Sequence, residues 1–450
     1  MTIDHVAIVG AGFTGSLLAA NLLRHDGPRA TLIERRLDAG TGLAYGSAHP
    51  SHLLNVRAGN MSAFPDEPDH FIAWLKRRRP DLAGGVFVPR TIYGAYLREL
   101  LDEALASSRG RLEIVWGDVV DVHPPGRAGV VLADGRVCDA DGAVLAVGNL
   151  APHTPAGLDP GALGSCYKPD PWAPDATTGL TPGDTVVILG TGLTMVDLAL
   201  KLEAEGFGGR IVAISRRGLL PRAHGHAPLA SPPMRVRPTT CASALTRQVR
   251  DRVAAVGWRS AVDELRPFTQ SMWRAASDAE RTRFLRHLRP WWDVHRHRVA
   301  PAVADRLESM RASGRLAVIA GKPQRYTRDG SGVAIEWRPR GQIDPKVLTA
   351  ARIINCTGPQ GDLYRSDDPL LRLLTERGLV SPDSCRLGID VTAQAATIGA
   401  DGTASDRLFA LGPMTRGAFW EIVAVPDIRE QAWTLARRLS YAQWVGGEGL

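Results

Sequence analysis

The hydrophobic pattern of the chain changes period in one order, and does so twice. Residues 4–34 open on the apolar run VAIV and break at a glycine turn. They continue with leucine and alanine at helical spacing through SLLAANLLR and close on a second short run, ATLI. Residues 184–217 repeat the order: TVVIL, a glycine turn, VDLALKLEAEG, then IVAIS. Short β-branched runs bounded by glycine read as strands, and the apolar spacing between them as a helix. The pattern therefore predicts two βαβ units, each closing a parallel pair. Residues 64–108 predict helices and residues 111–147 a β-meander. The Pro- and Gly-rich stretch 151–184 reads as a connection, and 239–314 as an Arg-rich helical insertion. The β pattern returns from residue 315, and 427–444 predicts a closing helix.

Composition narrows the class. The chain has 450 residues, 44% of them apolar and 22% charged, enough for two or three domains with ordinary cores. The net charge of +7 suggests nucleic acid at first sight. The basic residues are scattered rather than interleaved with aromatics in a run, so a nucleic-acid partner is not expected. The surplus suits anionic small ligands. Five cysteines, Cys138, Cys166, Cys241, Cys356 and Cys385, include no CxxC pair. That argues against a disulfide framework, a zinc site and a redox dithiol. No apolar run is long enough for a membrane span. The first strand starts by residue 4, which leaves no room for a signal peptide, so the expected location is the cytoplasm.

The glycine turns carry the chemistry. Gly10-Ala11-Gly12-Phe13-Thr14-Gly15 follows a strand and opens a helix. In that setting Gly10 permits the turn, Gly12 lets a pyrophosphate approach the backbone, and Gly15 lets helix and strand pack closely. Glu34 ends the second strand, where a carboxylate accepts hydrogen bonds from ribose hydroxyls and repels a 2′-phosphate. The second turn, Gly190-Thr191-Gly192-Leu193-Thr194-Met195, has methionine at the third glycine position. Its second strand ends in Ser215-Arg216-Arg217, with no carboxylate; arginine there suits a 2′-phosphate. GAVLAVGN (142–149), ARIINCTG (351–358) and RLFALGPMTRG (407–417) each place a turn after a β-run. The last of these carries Gly412-Pro413, where two-dinucleotide flavoproteins usually have an acid after the glycine.

The predicted fold class is α/β with two dinucleotide-binding, Rossmann-like domains, the second inserted in the first, plus the helical insertion. An FAD-binding domain would span 1–165 and 350–450, an NAD(P)-binding domain 180–238 and 315–349, and the insertion 239–314. FAD is expected at the first turn and NADH or NADPH at the second. No metal is expected: His295 and His297 lack a completing set of ligands and read as helix packing.

Several stretches resemble one known group: GTGLAYGS (40–47), HLLNVRAGNMSAFP (52–65), GTGLTMVD (190–197), SRRGLLPRAHGHAP (215–228), WWDVHRHRVAP (291–301), INCTGP (354–359) and ALGPMTRGAFWEI (410–422). Together they look like the bacterial FAD/NAD(P)-binding proteins of the large single-component type, and within that group most like the FAD-dependent urate hydroxylases of purine catabolism. The resemblance implies a monooxygenase that uses NAD(P)H and O2 to hydroxylate a small anionic heterocycle, urate to 5-hydroxyisourate. A flavin N-hydroxylase acting on an amine, a flavin dehydrogenase and a non-catalytic FAD-binding redox partner stay open beside it.

Carried over by position, Gly10, Gly12, Gly15 and Glu34 would hold the AMP half of FAD. Asn55, Met61 and Ser62 would pass near the flavin, and Gly412, Pro413 and Phe419 would close over it. Arg35, Val119, Gly148 and Gly358 join the cofactor-binding set. Gly190, Gly192, Thr194, Arg216 and Arg217 would serve the nicotinamide nucleotide. An anionic substrate needs converging cations and donors, and the candidates are Arg57, Arg90, His224 and His226, the two histidines forming a lid. Partners beyond substrate and O2 are not expected, and the oligomeric state is not legible.

Overall fold

The computed structural model describes residues 3–81, 87–123, 129–225 and 237–441. The strand β1 (His5–Val9) pairs in parallel with β2 (Arg29–Glu34), which pairs with β3 (Leu112–Trp116). A small antiparallel sheet follows: β4 (Val119–Val122), β5 (Val130–Leu132) and β6 (Val137–Cys138). The chain then returns as β7 (Gly142–Leu145), on the other side of β1. The expected meander over 111–147 is thus split three ways. Its ends enter the parallel sheet, β3 as a part-exposed edge strand and β7 as a buried interior one, and only the middle makes hairpins.

A second, seven-stranded sheet contains β8 (Tyr167–Lys168), β9 (Thr185–Leu189), β10 (Arg210–Ser215), β11 (Leu316–Asp329), β12 (Gly332–Pro339), β13 (Lys346–Ala350) and β14 (Arg352–Asn355). β14 runs parallel to β9, so this sheet keeps the chain past residue 350, the expected point of return. Ile353, Ile354 and Asn355 of this strand are buried and Arg352 half-buried, as a parallel interior strand requires. Then β15 (Ala396–Ile398) and β16 (Ala404–Ala410) complete the first sheet, in the order β15-β16-β7-β1-β2-β3.

Residues 242–312 are mostly helical, from Ala242–Asp263, kinked at Gly257, through Arg289–Arg296 to Pro301–Ala312. The closing helix Val425–Leu439 packs against the opening helix Phe13–Arg24 and seals one continuous core with the first sheet. The second sheet has its own cores on its two faces. In both sheets the glycine turns lie at the C-terminal ends of parallel strands, the side on which open α/β sheets bind ligands.

Candidate active site

The first glycine turn is shaped by missing side chains. Gly10 has φ +101°, and a Cβ there would stand 2.5 Å from the Ala146 carbonyl oxygen. Its N–H donates to the Ile33 carbonyl at 2.8 Å. A Cβ on Gly15 would overlap the Gly10 carbonyl, so helix Phe13–Arg24 can lie on β1 only with glycine at this place. Gly12 is the N-cap of that helix, and no side chain caps it. The first amides therefore have no acceptor in the helix and present the positive dipole end outward. Beyond Gly12 the nearest wall is the backbone of Gly42, 3.4 Å from where a Cβ would be.

Glu34 reaches back to this turn. One carboxylate oxygen accepts from the Ala11 N–H at 2.8 Å and the other from the Arg36 N–H at 3.1 Å. A carboxylate has about four acceptor sites, so capacity remains for two ribose hydroxyls. From the far end of the chain, β16 delivers Gly412 with φ +78°; its Cβ would stand 2.8 Å from Thr14 Oγ1 in the helix's first turn. Gln431 Oε1 fixes that loop by accepting from the Gly412 N–H at 2.8 Å. Gly148 (φ +71°) and Gly358 (φ +91°) both face open space. Bare amides, an absent Cβ and a part-satisfied carboxylate fit the diphosphate and ribose of FAD.

The second turn has the same plan with different chemistry. Gly190 has φ +114°, and a Cβ would collide with the Cys356 carbonyl. Gly192 caps helix Leu193–Ala204 without a side-chain cap, with nothing within 4 Å of its would-be Cβ. Thr194 stands in the first turn of that helix. Ser215 occupies the place that Glu34 has in the first unit, and its hydroxyl lies 2.9 Å from Thr191 Oγ1. Arg216 is exposed, and no acid pairs with it among the described residues. The Arg217 guanidinium lies 5.9 Å from the centre of the Trp291 ring.

Other expected site residues have structural duties. Arg35 pairs with Asp118 at 3.2 Å and Asp368 at 3.1 Å. Met61 belongs to the core, and the buried Ser62 hydroxyl donates to the Glu67 carbonyl at 2.6 Å, so neither side chain is offered to a flavin. Val119 is buried in the small sheet opposite Leu132. Pro413 lies in the turn Gly412–Thr415, and Phe419 is buried with the Arg274 guanidinium 5.5 Å over its ring. Asn55 fares better: its carbonyl oxygen is 2.9 Å from His224 Nε2, and no hydrogen bond holds its carboxamide among the described residues.

The substrate cations are largely committed elsewhere. Arg90 Nη1 lies 2.7 Å from the buried Asp197 carboxylate, which corrects its reading as a substrate contact. Arg57 donates to the Gly225 carbonyl at 2.6 Å and sits 5.1 Å over the Phe87 ring. His224 is not a free lid: its N–H donates to Val299, Ala223 bridges to Val299, and burial lowers its pKa. His226 lies outside the described residues. His295 meets the Trp291 carbonyl at 2.7 Å, and no metal-binding cluster occurs among the described residues.

Sequence reading missed two buried polar clusters. Burial pushes the Asp197 carboxyl up to about 6, with Arg90 opposing it. His52 Nε2 sits 3.0 Å from the Asp197 carbonyl, and burial, then Arg90, lowers its pKa to about 4. Glu421, with φ +70°, is buried; it accepts from Trp292 Nε1 at 2.6 Å and pairs with Arg296 at 2.9 Å. The signal for Asp197 was visible, a lone acid on the apolar stretch LTMVDLAL. A cleft of about 650 Å³ is lined by Gly142, Ala143 and Arg407, at the start of β7 and so away from the glycine turns.

The family model for FAD-NAD(P)-binding proteins matches residues 7–150, the stretch that holds the first glycine turn. No curated protein matches the chain. Solved structures match it almost end to end at low identity. The ornithine hydroxylase of Pseudomonas aeruginosa aligns with TM-score 0.68 and 14% identity, over 98% of this chain and 99% of its own. The L-lysine 6-monooxygenase of Pseudomonas syringae gives 0.66 and 15%, with 98% and 99% covered. The ornithine N-hydroxylase of Kutzneria sp. 744, solved with reduced FAD, NADP+ and L-ornithine, gives 0.64 and 15%, again over 98% and 99%. The fold is therefore that of a two-dinucleotide, FAD- and NAD(P)-binding α/β protein. No helix among the described residues is long and apolar enough to cross a membrane.

Proposed function

We propose that the chain is an FAD-dependent monooxygenase that draws electrons from NAD(P)H and, with O2, hydroxylates the nitrogen of a small amine. One observation carries this reading: the two glycine turns are built alike but end differently. Glu34 closes the first and Ser215-Arg216 the second, a pairing suited to a ribose diol on one side and a 2′-phosphate on the other. FAD, when bound, supplies the chemistry by accepting hydride and activating O2.

The protein's own part is to bind and to exclude water. The amides beyond Gly12 and the carboxylate of Glu34 would anchor FAD. Gly412 would press the terminal loop against it, and Gly192 and Arg216 would dock NADPH. Asn55, with its carboxamide uncommitted, is the donor and acceptor offered to the reacting pair.

The amine reading is supported by the structural neighbours described above, which are hydroxylases and monooxygenases of ornithine and lysine; thioredoxin reductases also share the fold, at lower TM-scores of 0.54 and 0.53. Urate and purine catabolism gain nothing from them. The test is O2 uptake and NADPH oxidation by the purified yellow protein, with and without L-ornithine, L-lysine, cadaverine and urate. Stimulation by an amine with hydroxylamine product supports the reading. Turnover with dyes but no O2 dependence makes the chain a dehydrogenase, and absence of flavin reduction makes it a binding module.

A further inference from the structure

Where the terminal loop meets the helical insertion, the charges can be matched one by one. Arg296 pairs with Glu421 at 2.9 Å, Arg289 with Asp293 at 3.5 Å, and Arg266 with Asp427 at 3.9 Å. Arg416 is left over. Its guanidinium has no carboxylate, carbonyl or ring partner among the described residues. Asp293 and Glu421, the acids nearest to it, are held by the other two arginines.

The position of Arg416 is fixed on both sides. Its N–H donates to the Pro413 carbonyl, and the next carbonyl, Gly417, accepts from Trp273 Nε1 at 2.7 Å. Protein surrounds the side chain closely enough for burial, then Arg289, to pull its pKa down to about 10. Part of its surface nevertheless stays open to solvent. A half-buried guanidinium left without a partner is costly. Arg416 directly follows the turn Gly412–Thr415, whose first residue touches the opening helix at Thr14. A 3₁₀ turn of that length spans about 6–8 Å, so the cation stands beside the proposed flavin site.

We propose that Arg416 anchors a planar oxyanion of the substrate, gripping it with two parallel hydrogen bonds and so turning the substrate's other end toward the flavin. The inference rests on the monooxygenase reading for the second half of that statement only. On the amine reading the substrate is an amine that also carries a carboxylate.

Calorimetric titration of the FAD-loaded protein tests it. L-lysine and cadaverine differ by one carboxylate. Wild type is expected to bind L-lysine about ten to a hundred times more tightly, the worth of a charge-assisted pair, and Arg416→Gln is expected to bring the two within about twofold. Should the glutamine variant fail to fold, Arg416→Lys decides, because it keeps the charge and loses the fork; the ratio is expected to drop about tenfold. Urate forms a separate arm. Urate binding that depends on Arg416 upholds the anchor and overturns the amine reading. A wild type that does not distinguish the lysine pair and does not bind urate, a ratio unchanged by substitution, or FAD lost from Arg416→Lys with the ratio intact overturns the anchor.

Discussion

The two glycine turns of this protein differ where their sequences differ, and the difference assigns each a different kind of occupancy. In the first, Gly15 lets the helix lie directly on β1, the Gly40–Gly42 loop closes over Gly12, and Gly412 arrives from the end of the chain. In the second, Met195 replaces the third glycine and Gly192 faces open space. Glu34 is tied to its own turn by the Ala11 amide, whereas Ser215 is tied through Thr191 and leaves the exposed Arg216 beyond it. The equivalent arginine of the first unit, Arg35, is spent on Asp118 and Asp368. An enclosed site walled by three distant chain segments suits a cofactor that stays. An open one with an unpaired cation suits a nucleotide that comes and goes.

The sharpest way to break this contrast is to add one methyl group to each turn. Gly15→Ala is expected to abolish flavin binding and lower expression, because the Gly10 carbonyl occupies the space required; visible absorbance of the purified protein reports it. Gly192→Ala meets no protein atom, so it is expected to stay yellow and fold normally while NADPH binding weakens.

Next in size is Glu34→Ala. Losing a charge-assisted acceptor costs about 1.5–3 kcal/mol, so FAD affinity measured by fluorescence quenching is expected to fall about tenfold or more. Arg216→Ala is expected to raise the KM for NADPH about tenfold with little change for NADH, since only the 2′-phosphate loses its partner. Equal change for both nucleotides would show that the second turn does not read the phosphate.

The smallest effect concerns pH. His52 is held neutral in the folded state down to about pH 4, against an ordinary value of 6.5. Between those values the unfolded chain binds a proton that the folded one refuses. Its contribution is therefore fully present above about pH 6.5 and is lost on acidification toward pH 4. The slope is at most about 1.4 kcal/mol per pH unit for one proton. Melting curves of His52→Gln are expected to be flatter over that window than those of wild type.

Legibility in the sequence followed the range of each interaction. β1, β2, β9 and β10 were plain from local periodicity, as were the helices between them, because each buries a contiguous apolar stretch. The glycines and Glu34 were legible since their spacing alone brings them to one turn. β3 and β7 were hidden in a seeming meander, because no local pattern says that two neighbouring runs will pair with β2 and β1 rather than with each other. The polar residues failed for the same reason. Arg90 looked like a free cation until Asp197, 107 positions away, came within 2.7 Å. Arg416 lay inside a quoted motif, yet its lack of a partner is a property of the neighbourhood and not of the string.

The Arg90–Asp197 pair bears on how hydride would travel. It ties the first residue of helix Arg90–Ser107, beside the first sheet, to the helix that opens at Gly192, and both side chains are mostly shielded from water. Swinging one nucleotide module away from the other would strip that pair, at a cost of about 3–5 kcal/mol for a buried charge left alone. A catalytic cycle built on large rotation would meet that barrier at every turnover. With the modules pinned by Arg90 and Asp197, nucleotide and substrate would have to exchange beside the first glycine turn without rotation of one module against the other.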